Sequence, residues 1–171
     1  MALTASNVVS KFGDFLTAPN TGLSTVVASL TASSGLGTTS ATETPAIKLA
    51  SIVQQNVPIA LMEKALATKY PAVHIYTDRV QNLLTEKFRT FSGKVRTVAE
   101  VRVSQDRIEG LEDQVRTYVD AVTQILDGNR GDWGQGMFFT GGYEVKFDPV
   151  QHGGRNFIQV AKVIFEVDMS S

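Results

Sequence analysis

Two segments of the chain alternate apolar with other side chains at the two-residue period of a β-strand, and they limit the fold most. In the first segment, residues 94–103, one side of the alternation is Val95, Thr97, Ala99, Val101 and Val103. In the second, residues 156–167, one face includes Phe157 and Val163, and Ile158, Val160 and Ile164 put apolar groups on the second face too. Successive side chains of a strand point to opposite faces. We therefore predict that residues 94–103 form a half-buried strand with a charged outer face, and that residues 156–167 form a terminal strand covered on both faces.

One long segment has the 3.6-residue apolar period of an amphipathic helix. Its apolar positions are Ile108, Leu111, Val115, Val119, Val122 and Leu126. Asp106 and Glu109 have the spacing of a capping box, and Gly128 stands where a helix often ends. We therefore predict a helix over residues 107–126 that buries its apolar side on the sheet.

The N-terminal third of the chain has weaker patterns. Residues 4–16 predict a short helix. Residues 17–44 are rich in Ser, Thr, Ala and Gly and predict a loop or linker, within which the apolar residues 23–30 could dock on a neighbour. A helix is predicted from Thr44 to about Gln55, although this segment is also compatible with an extended conformation.

The remaining segments predict two more helices and two more strands. Short helices are predicted over residues 59–69 and 80–88, and a strand rich in β-branched and aromatic residues over 71–76. A further strand, 137–148, contains Phe138. The adjacent glycines Gly141 and Gly142 interrupt this strand, and an adjacent pair suggests a bulge or bend.

These patterns together predict an α+β fold. The expected sheet is mainly antiparallel and twisted, with about four strands, and it is packed by one long helix and shorter N-terminal helices. The predicted strands are residues 71–76, 94–104, 137–148 and 154–167. Composition divides the chain into an N-terminal helix with a Ser/Thr/Gly-rich arm, residues 1–44, and an α+β core, residues 45–171.

Composition excludes several classes of function. The chain has 171 residues, a net charge of -1 and no cysteine, so thiolate zinc sites, disulfide scaffolds and thiol catalysis are excluded. The near-neutral charge provides no general attraction to nucleic acid or anionic lipid. No apolar run approaches the length of a membrane helix, and the N-terminus lacks the pattern of a signal peptide. We expect a cytoplasmic chain with no membrane partner.

No pattern of catalytic or metal-binding residues is present. The two histidines, His74 and His152, have no second ligand at metal spacing. The chain lacks a G-x-S-x-G nucleophile elbow. The glycine-rich segment "GNRGDWGQG" lies between a predicted helix and a predicted strand, which is the reverse of a phosphate-binding loop. We expect no enzyme activity, no cofactor and no metal.

Six residues are candidates for contacts with other proteins: Trp133, Gly141, Gly142, Arg96, Arg102 and Phe138. A single tryptophan in a glycine-rich connection either caps the core or anchors a partner. The two arginines share one strand face, which predicts a solvated edge or a weak contact with passing DNA or a neighbouring subunit.

The order of predicted elements resembles that of a known family. From residue 71 the order is strand, helix, strand, long helix, Gly-rich loop with Trp133, strand, tight turn and long terminal strand. With "YVDAVTQILDGNRGDW" leading into "YEVKFDPVQHGGRNFIQVAKVIFEV", the chain resembles the tail terminator, or tail completion, proteins of long-tailed bacteriophages. The resemblance begins at residue 71 and rests on element order and the terminal hairpin, and residues 17–44 depart from it.

The resemblance implies a structural virion protein. Such a subunit forms a ring, typically hexameric, on the last ring of the tail tube, where it ends tube growth and meets the head connector or neck protein. It is located in the tail or neck of the virion after assembly in the host cytoplasm. DNA would pass through the ring without binding tightly, which suits a near-neutral charge.

Two alternatives remain open at this point. The chain could be another ring of the same kind of virion, such as a neck adaptor or head completion protein. It could also be an unrelated cytoplasmic α+β binding domain or enzyme.

Overall fold

The computed structural model describes residues 2–33, 51–64, 69–84, 87–153 and 155–171, which have an α+β fold. The helices are α1 (Ala2–Thr17), α2 (Leu23–Ser33), α3 (Ile59–Lys64) and α4 (Leu111–Gly128). The strands are β1 (Ile52–Val53), β2 (Ala72–Asn82), β3 (Ser92–Gln105), β4 (Gly131–Gly134), β5 (Met137–Phe139), β6 (Tyr143–Phe147), β7 (Gln151–Gly153) and β8 (Asn156–Ser170).

The longest strand pairing joins β3 and β8 antiparallel along the whole of β3. Ser92 pairs with Ser170 at one end, and Gln105 pairs with Phe157 at the other. These are the two alternating segments of the sequence, and both predicted strands are confirmed. The sheet face that includes Val101 of β3 packs against the helices, and we call it the inner face. The opposite face is the outer face.

The sheet is mixed and curls into a half-barrel, so the predicted twisted antiparallel sheet of four strands is wrong in its detail. Its order is β1-β2-β3-β8-β5-β4, and β6 and β7 also pair with β8. The short β1 adds a parallel pair beside β2. The predicted strand 137–148 bends at Gly141 and Gly142. The chain therefore follows one edge of β8 as the separate strands β5, β6 and β7.

Helices α1 and α4 pack on the inner face, and α2 packs on α4. The apolar side of α4, including Val115, Val122 and Leu126, is buried in the same hydrophobic core as Phe12 of α1. The predicted N-terminal helix is therefore confirmed, and it contributes to the core of the sheet. The predicted domain boundary at residue 44 lies outside the described residues.

Helix α4 begins later than predicted. The capping box at Asp106 and Glu109 does not start it, because Gly110 has a left-handed backbone with φ +79° immediately before Leu111. Ile108 is consequently outside the helix and 55% exposed. The first turn still contains Glu112 and Asp113, which favour the positive end of the helix dipole.

The predicted helix over residues 80–88 is wrong for the residues that the structure describes, 80–84, 87 and 88. Strand β2 continues to Asn82, which pairs with Gly93 of β3 after an irregularity at Thr77. The local apolar spacing suits a helix, but pairing along β3 provides the backbone with hydrogen bonds over a longer stretch. Tertiary pairing overrides local propensity here.

The linker predicted over residues 17–44 is wrong for its first part. Helix α2 forms there because Leu23 and Val27 are buried against the rest of the fold. The helix predicted from Thr44 is replaced at Ile52 by strand β1, which agrees with the extended alternative. The helix predicted over 59–69 is found as α3 at Ile59–Lys64, and Lys69 is not helical.

The tight turn between β4 and β5 requires glycine. Gln135 and Gly136 both have positive φ, 55° and 75°, as in the two-residue turns that suit twisted hairpins. A Cβ on Gly136 would lie 2.0 Å from the carbonyl oxygen of Ser170. That oxygen belongs to β8, whose Ser170 amide donates a 3.0 Å hydrogen bond to the Gly136 carbonyl.

We expect Gly136→Ala to lower the free energy of unfolding by about 2 kcal/mol or more, from the left-handed backbone and the clash with β8. Gly128→Ala is the control, since nothing lies within 4 Å of a Cβ added at Gly128. At the end of α4 it should raise stability by up to about 1 kcal/mol. Urea denaturation of both variants measures the difference, and equal stability of the two would contradict this account of the turn.

Candidate interaction surface

The outer face of the sheet collects most of the charged side chains of the two long strands. Its β3 residues are Lys94, Arg96, Val98, Glu100 and Arg102, and their β8 partners are Asp168, Glu166, Ile164, Lys162 and Val160. The face has two parts. Around Glu100 and Arg102 it is buried, and we call this the buried half. Around Lys94 and Arg96 it is open to solvent, and we call this the open half.

The buried half contains an ion pair inside the fold. Arg102 is 2% exposed and Glu100 is 5% exposed, and the Arg102 guanidinium lies 2.7 Å from the Glu100 carboxylate. The Tyr76 hydroxyl donates a 2.9 Å hydrogen bond to the same carboxylate. The prediction of a charged, solvated outer face is therefore wrong for this half, because these charges satisfy one another away from water.

The backbone of residues 55–57 covers part of the buried half. Arg102 Nη2 donates a 2.5 Å hydrogen bond to the Val57 carbonyl, and His74 Nδ1 lies 3.2 Å from the Gln55 carbonyl. The chain itself therefore covers this part of the outer face. Arg102 Nη1 and His74 Nε2 are buried without a hydrogen-bond partner in the described part of the chain.

Burial changes the titration of two groups in this half. It lowers the pKa of His74, and the nearby Arg102 cation lowers the pKa further. Burial also raises the pKa of Tyr76, as does the Glu100 carboxylate beside it. His74 is accordingly neutral near pH 7, with the proton on Nδ1 where it donates to the Gln55 carbonyl.

The open half has exposed ion pairs and two shallow grooves. Lys94 lies 3.2 Å from Glu166, and Arg96 lies 3.4 Å from Asp78. One groove of about 270 Å³ is lined by residues including Leu83, Gly136 and Phe138. We call the other the β6 groove. It measures about 350 Å³ and is lined by residues including Arg96, Gly142, Tyr143, Glu144 and Ile164. The two grooves share Lys94 and Asp168.

The structure brings three of the six candidate contact residues together and separates the other three. Phe138 is 50% exposed, and it lies with Arg96 and Gly142 along the grooves of the open half. Arg102 belongs to the buried half. A Cβ on Gly141, whose φ is +100°, would lie 2.8 Å from the Arg130 side chain.

Trp133 lies in the core and is 5% exposed. Its ring centroid is 5.1 Å from that of Phe15 and 5.5 Å from that of Phe139, and its indole N–H donates a 2.6 Å hydrogen bond to the Asn129 carbonyl. Of the two predictions for Trp133, core capping describes its position. No surface of the indole is left large enough to anchor a partner.

Sequence reasoning missed one exposed surface, the connection between β2 and β3. Leu83, Leu84 and Phe88 are 48%, 64% and 104% exposed, and we call this segment the β2–β3 loop. The sequence analysis placed these residues in a predicted helix over 80–88. The missed signal was their position between two segments of strand pattern, which is typical of a hairpin.

Three further findings concern the whole described chain. Among the described residues no group of three or more His, Asp or Glu side chains could hold a metal ion. No helix in the described ranges is long and apolar enough to cross a membrane. No protein-family model and no curated protein sequence matches the chain.

We expect Arg102→Met to lower the free energy of unfolding by about 3 kcal/mol, because it leaves the Glu100 charge buried without its nearest partner. Adding Glu100→Gln should recover part of this loss, since the amide oxygen still accepts from Tyr76. The control is Arg116→Met, which removes a pair with Glu112 whose side chains are 58% and 57% exposed, and it should change stability by less than about 1 kcal/mol. Equal losses for Arg102→Met and Arg116→Met in urea would refute the structural role of the buried pair.

The lowered pKa of His74 predicts a stability that falls on acidification. The unfolded chain takes up a proton at the ordinary value of 6.5, whereas folded His74 resists protonation, so the stabilisation present above pH 6.5 is lost as pH falls towards the folded pKa. The contribution is at most about 1.4 kcal/mol per pH unit. Urea titrations from pH 7.5 downward should show a shallower slope for His74→Asn than for the wild type. Identical slopes for the wild type and His74→Asn would contradict the assignment.

Proposed function

We propose that the chain is the ring-forming tail terminator subunit of a long-tailed bacteriophage. It caps the tail tube, stops its growth and provides the surface that joins the tail to the head connector. The ring is a closed homo-oligomer, hexameric as in the family that the chain resembles, and it is assembled in the host cytoplasm and retained in the neck of the virion. The role involves no catalysis and no cofactor.

The observation that carries the proposal is the presence of two unlike exposed surfaces on one small subunit. One is the β2–β3 loop with its apolar side chains, and the other is the open half of the outer face. In a cyclic ring each subunit binds the preceding one with one patch and the following one with a different patch. Because the chain has two dissimilar surfaces, one can bind the preceding subunit and the other the following subunit.

A third surface suits contact with a different protein. Tyr143, Phe147 and Val150 are 38%, 44% and 37% exposed, and they follow one another along β6 and the turn after it. Neighbouring exposed apolar groups are typical of protein contact surfaces. We assign this edge to the tail tube protein or to the connector, the two partners that a terminator ring lies between.

The charge of the chain supports the passage of DNA through the ring. The net charge is -1, and the cations Lys94 and Arg96 of the open half are each paired with a carboxylate. A lumen rich in unpaired cations would bind phosphates in a salt-dependent manner and hold the DNA. Paired charges reduce that attraction.

We expect a stop codon early in this gene to yield tail tubes that exceed the normal length and heads that lack tails, because an uncapped tube end continues to add subunits. Negative-stain images of the lysate give the distribution of tube lengths. Purified protein added to tubes at the moment of assembly should restore the normal length and the joining of heads. A lysate with tubes of normal length but unjoined heads would instead point to a neck adaptor or head completion protein, and unaltered virions would refute both roles.

A further inference from the structure

We propose that two free copies of this chain pair through the edge of β6, strand against strand, about a two-fold axis at Val145. The inference goes beyond the proposed function, because it describes the protein before it is assembled. Each copy would add one antiparallel strand to the sheet of the other, so that the two sheets become continuous. The contact is isologous, since each copy uses the same residues.

The backbone of β6 has one free edge. The Asp148 amide donates a 2.9 Å hydrogen bond to the Val160 carbonyl, in the register of the β6–β8 pairing. Antiparallel strands bond at every second residue, so the backbone groups of Tyr143, Val145 and Phe147 point away from β8. Among the described strands, β6 pairs with β8 alone. The amides and carbonyls of these three residues are therefore available to another strand, as at any exposed sheet edge.

This edge is complementary to its own copy. When Val145 lies opposite Val145 of the second copy, Tyr143 of each copy lies opposite Phe147 of the other. The free backbone groups of both strands then meet at all three positions, as an antiparallel ladder requires. A register shifted by two residues would leave one of these positions without a partner. The two-fold register is therefore the one that forms most hydrogen bonds.

The charges on the outer side of β6 fit the same register. Glu144 and Lys146 are exposed, and neither forms an ion pair with a described residue. In the two-fold register Glu144 of each copy lies opposite Lys146 of the other, with Cα atoms about 4.5 Å apart. Opposite charges at such positions favour strand pairing. Within its own sheet Lys146 lies opposite Lys162, a like charge that the second copy's carboxylate would offset.

The inner side of β6 contributes apolar area. Tyr143 and Phe147 are 38% and 44% exposed, and the Tyr143 hydroxyl donates a 3.3 Å hydrogen bond to Asp127 of α4. Pairing would bring the ring of Tyr143 beside that of Phe147 on each side of the axis, and cross-strand aromatic pairs stabilise sheets. In the proposed function this edge meets the tail tube protein or the connector. The second copy would therefore cover the edge only until assembly.

The first test measures dimerisation of the full chain by sedimentation equilibrium. We expect the wild type to dimerise, and Lys146→Glu to weaken dimerisation by about tenfold or more, because Glu144 would then meet a like charge at both contacts. The control is Arg107→Glu, the same change of charge at an exposed residue before α4. A monomeric wild type, or equal dimerisation of the two variants, overturns the proposal.

Exchange of the two charges within one chain distinguishes a specific contact from an effect of net charge. The double variant Glu144→Lys with Lys146→Glu keeps opposite charges across the axis, so its dimerisation should return to within about threefold of the wild type. A double variant that dimerises as weakly as Lys146→Glu alone contradicts the two-fold register.

The second test uses the absence of cysteine from the chain. Glu144→Cys and Lys146→Cys are prepared as separate proteins, and each is oxidised mildly alone and in an equal mixture. The mixed disulfide dimer should form faster than either homodimer, because position 144 of one copy lies opposite position 146 of the other. Equal rates, or a homodimer that forms faster than the mixed dimer, overturn the pairing.

The outcomes separate this contact from the proposed function. Charge variants that leave dimerisation intact overturn the pairing, whatever effect the protein has on tail tubes. Tail tubes of normal length in the absence of the protein overturn the terminator role, and a dimer with the expected charge dependence stands in that case.

Discussion

The antiparallel pairing of β3 with β8 is the constraint on which the rest of the structure depends. Its register assigns each side chain of the two strands to the inner or the outer face. A slip by one residue would exchange the faces and bring Glu100 and Arg102 under the helices. The hydrophobic core, the buried ion pair and both grooves therefore all require this one alignment.

The buried half of the outer face reinforces that register. Arg102 contacts Glu100 on its own strand and the Val57 carbonyl of a distant segment. An ion pair inside a protein adds little net stability, because desolvation offsets the Coulomb attraction. Misaligned strands would leave one of these charges buried and unpaired, so the network acts against alternatives to the native pairing. The polar cluster and the apolar core therefore both favour the same register of β3 with β8.

The elements that the sequence predicts well are those whose periodicity is long and regular. The apolar period of α4 and the alternation of β3 and β8 extend over at least three helical turns or ten strand residues, so tertiary contacts and local preference agree. Short segments fail where a partner distant in sequence decides. Residues 80–82 are strand because β3 lies beside them, and α2 is a helix because Leu23 and Val27 have a buried site to fill.

Segments distant in sequence also decide where the candidate contact residues lie. Phe138 and Gly142 could be singled out from local pattern, and the structure places them on the open half. Arg102 shares a strand face with Arg96, yet the backbone of residues 55–57 covers one and not the other, which strand alternation does not encode. Phe88 was assigned to a helix and escaped notice for the same reason. Contacts between distant segments decide which of these residues a partner can reach.

In the proposed ring, the β2–β3 loop and the open half of the outer face are the two unlike surfaces between neighbouring copies, and the exposed edge at β6 faces another protein. The most direct test is a cryo-electron microscopy reconstruction of the virion neck. We expect a closed ring of copies of this chain at the head-proximal end of the tail tube, with neighbouring copies in contact through two different surfaces. A neck in which this chain is absent, or present without contact between copies, would contradict it.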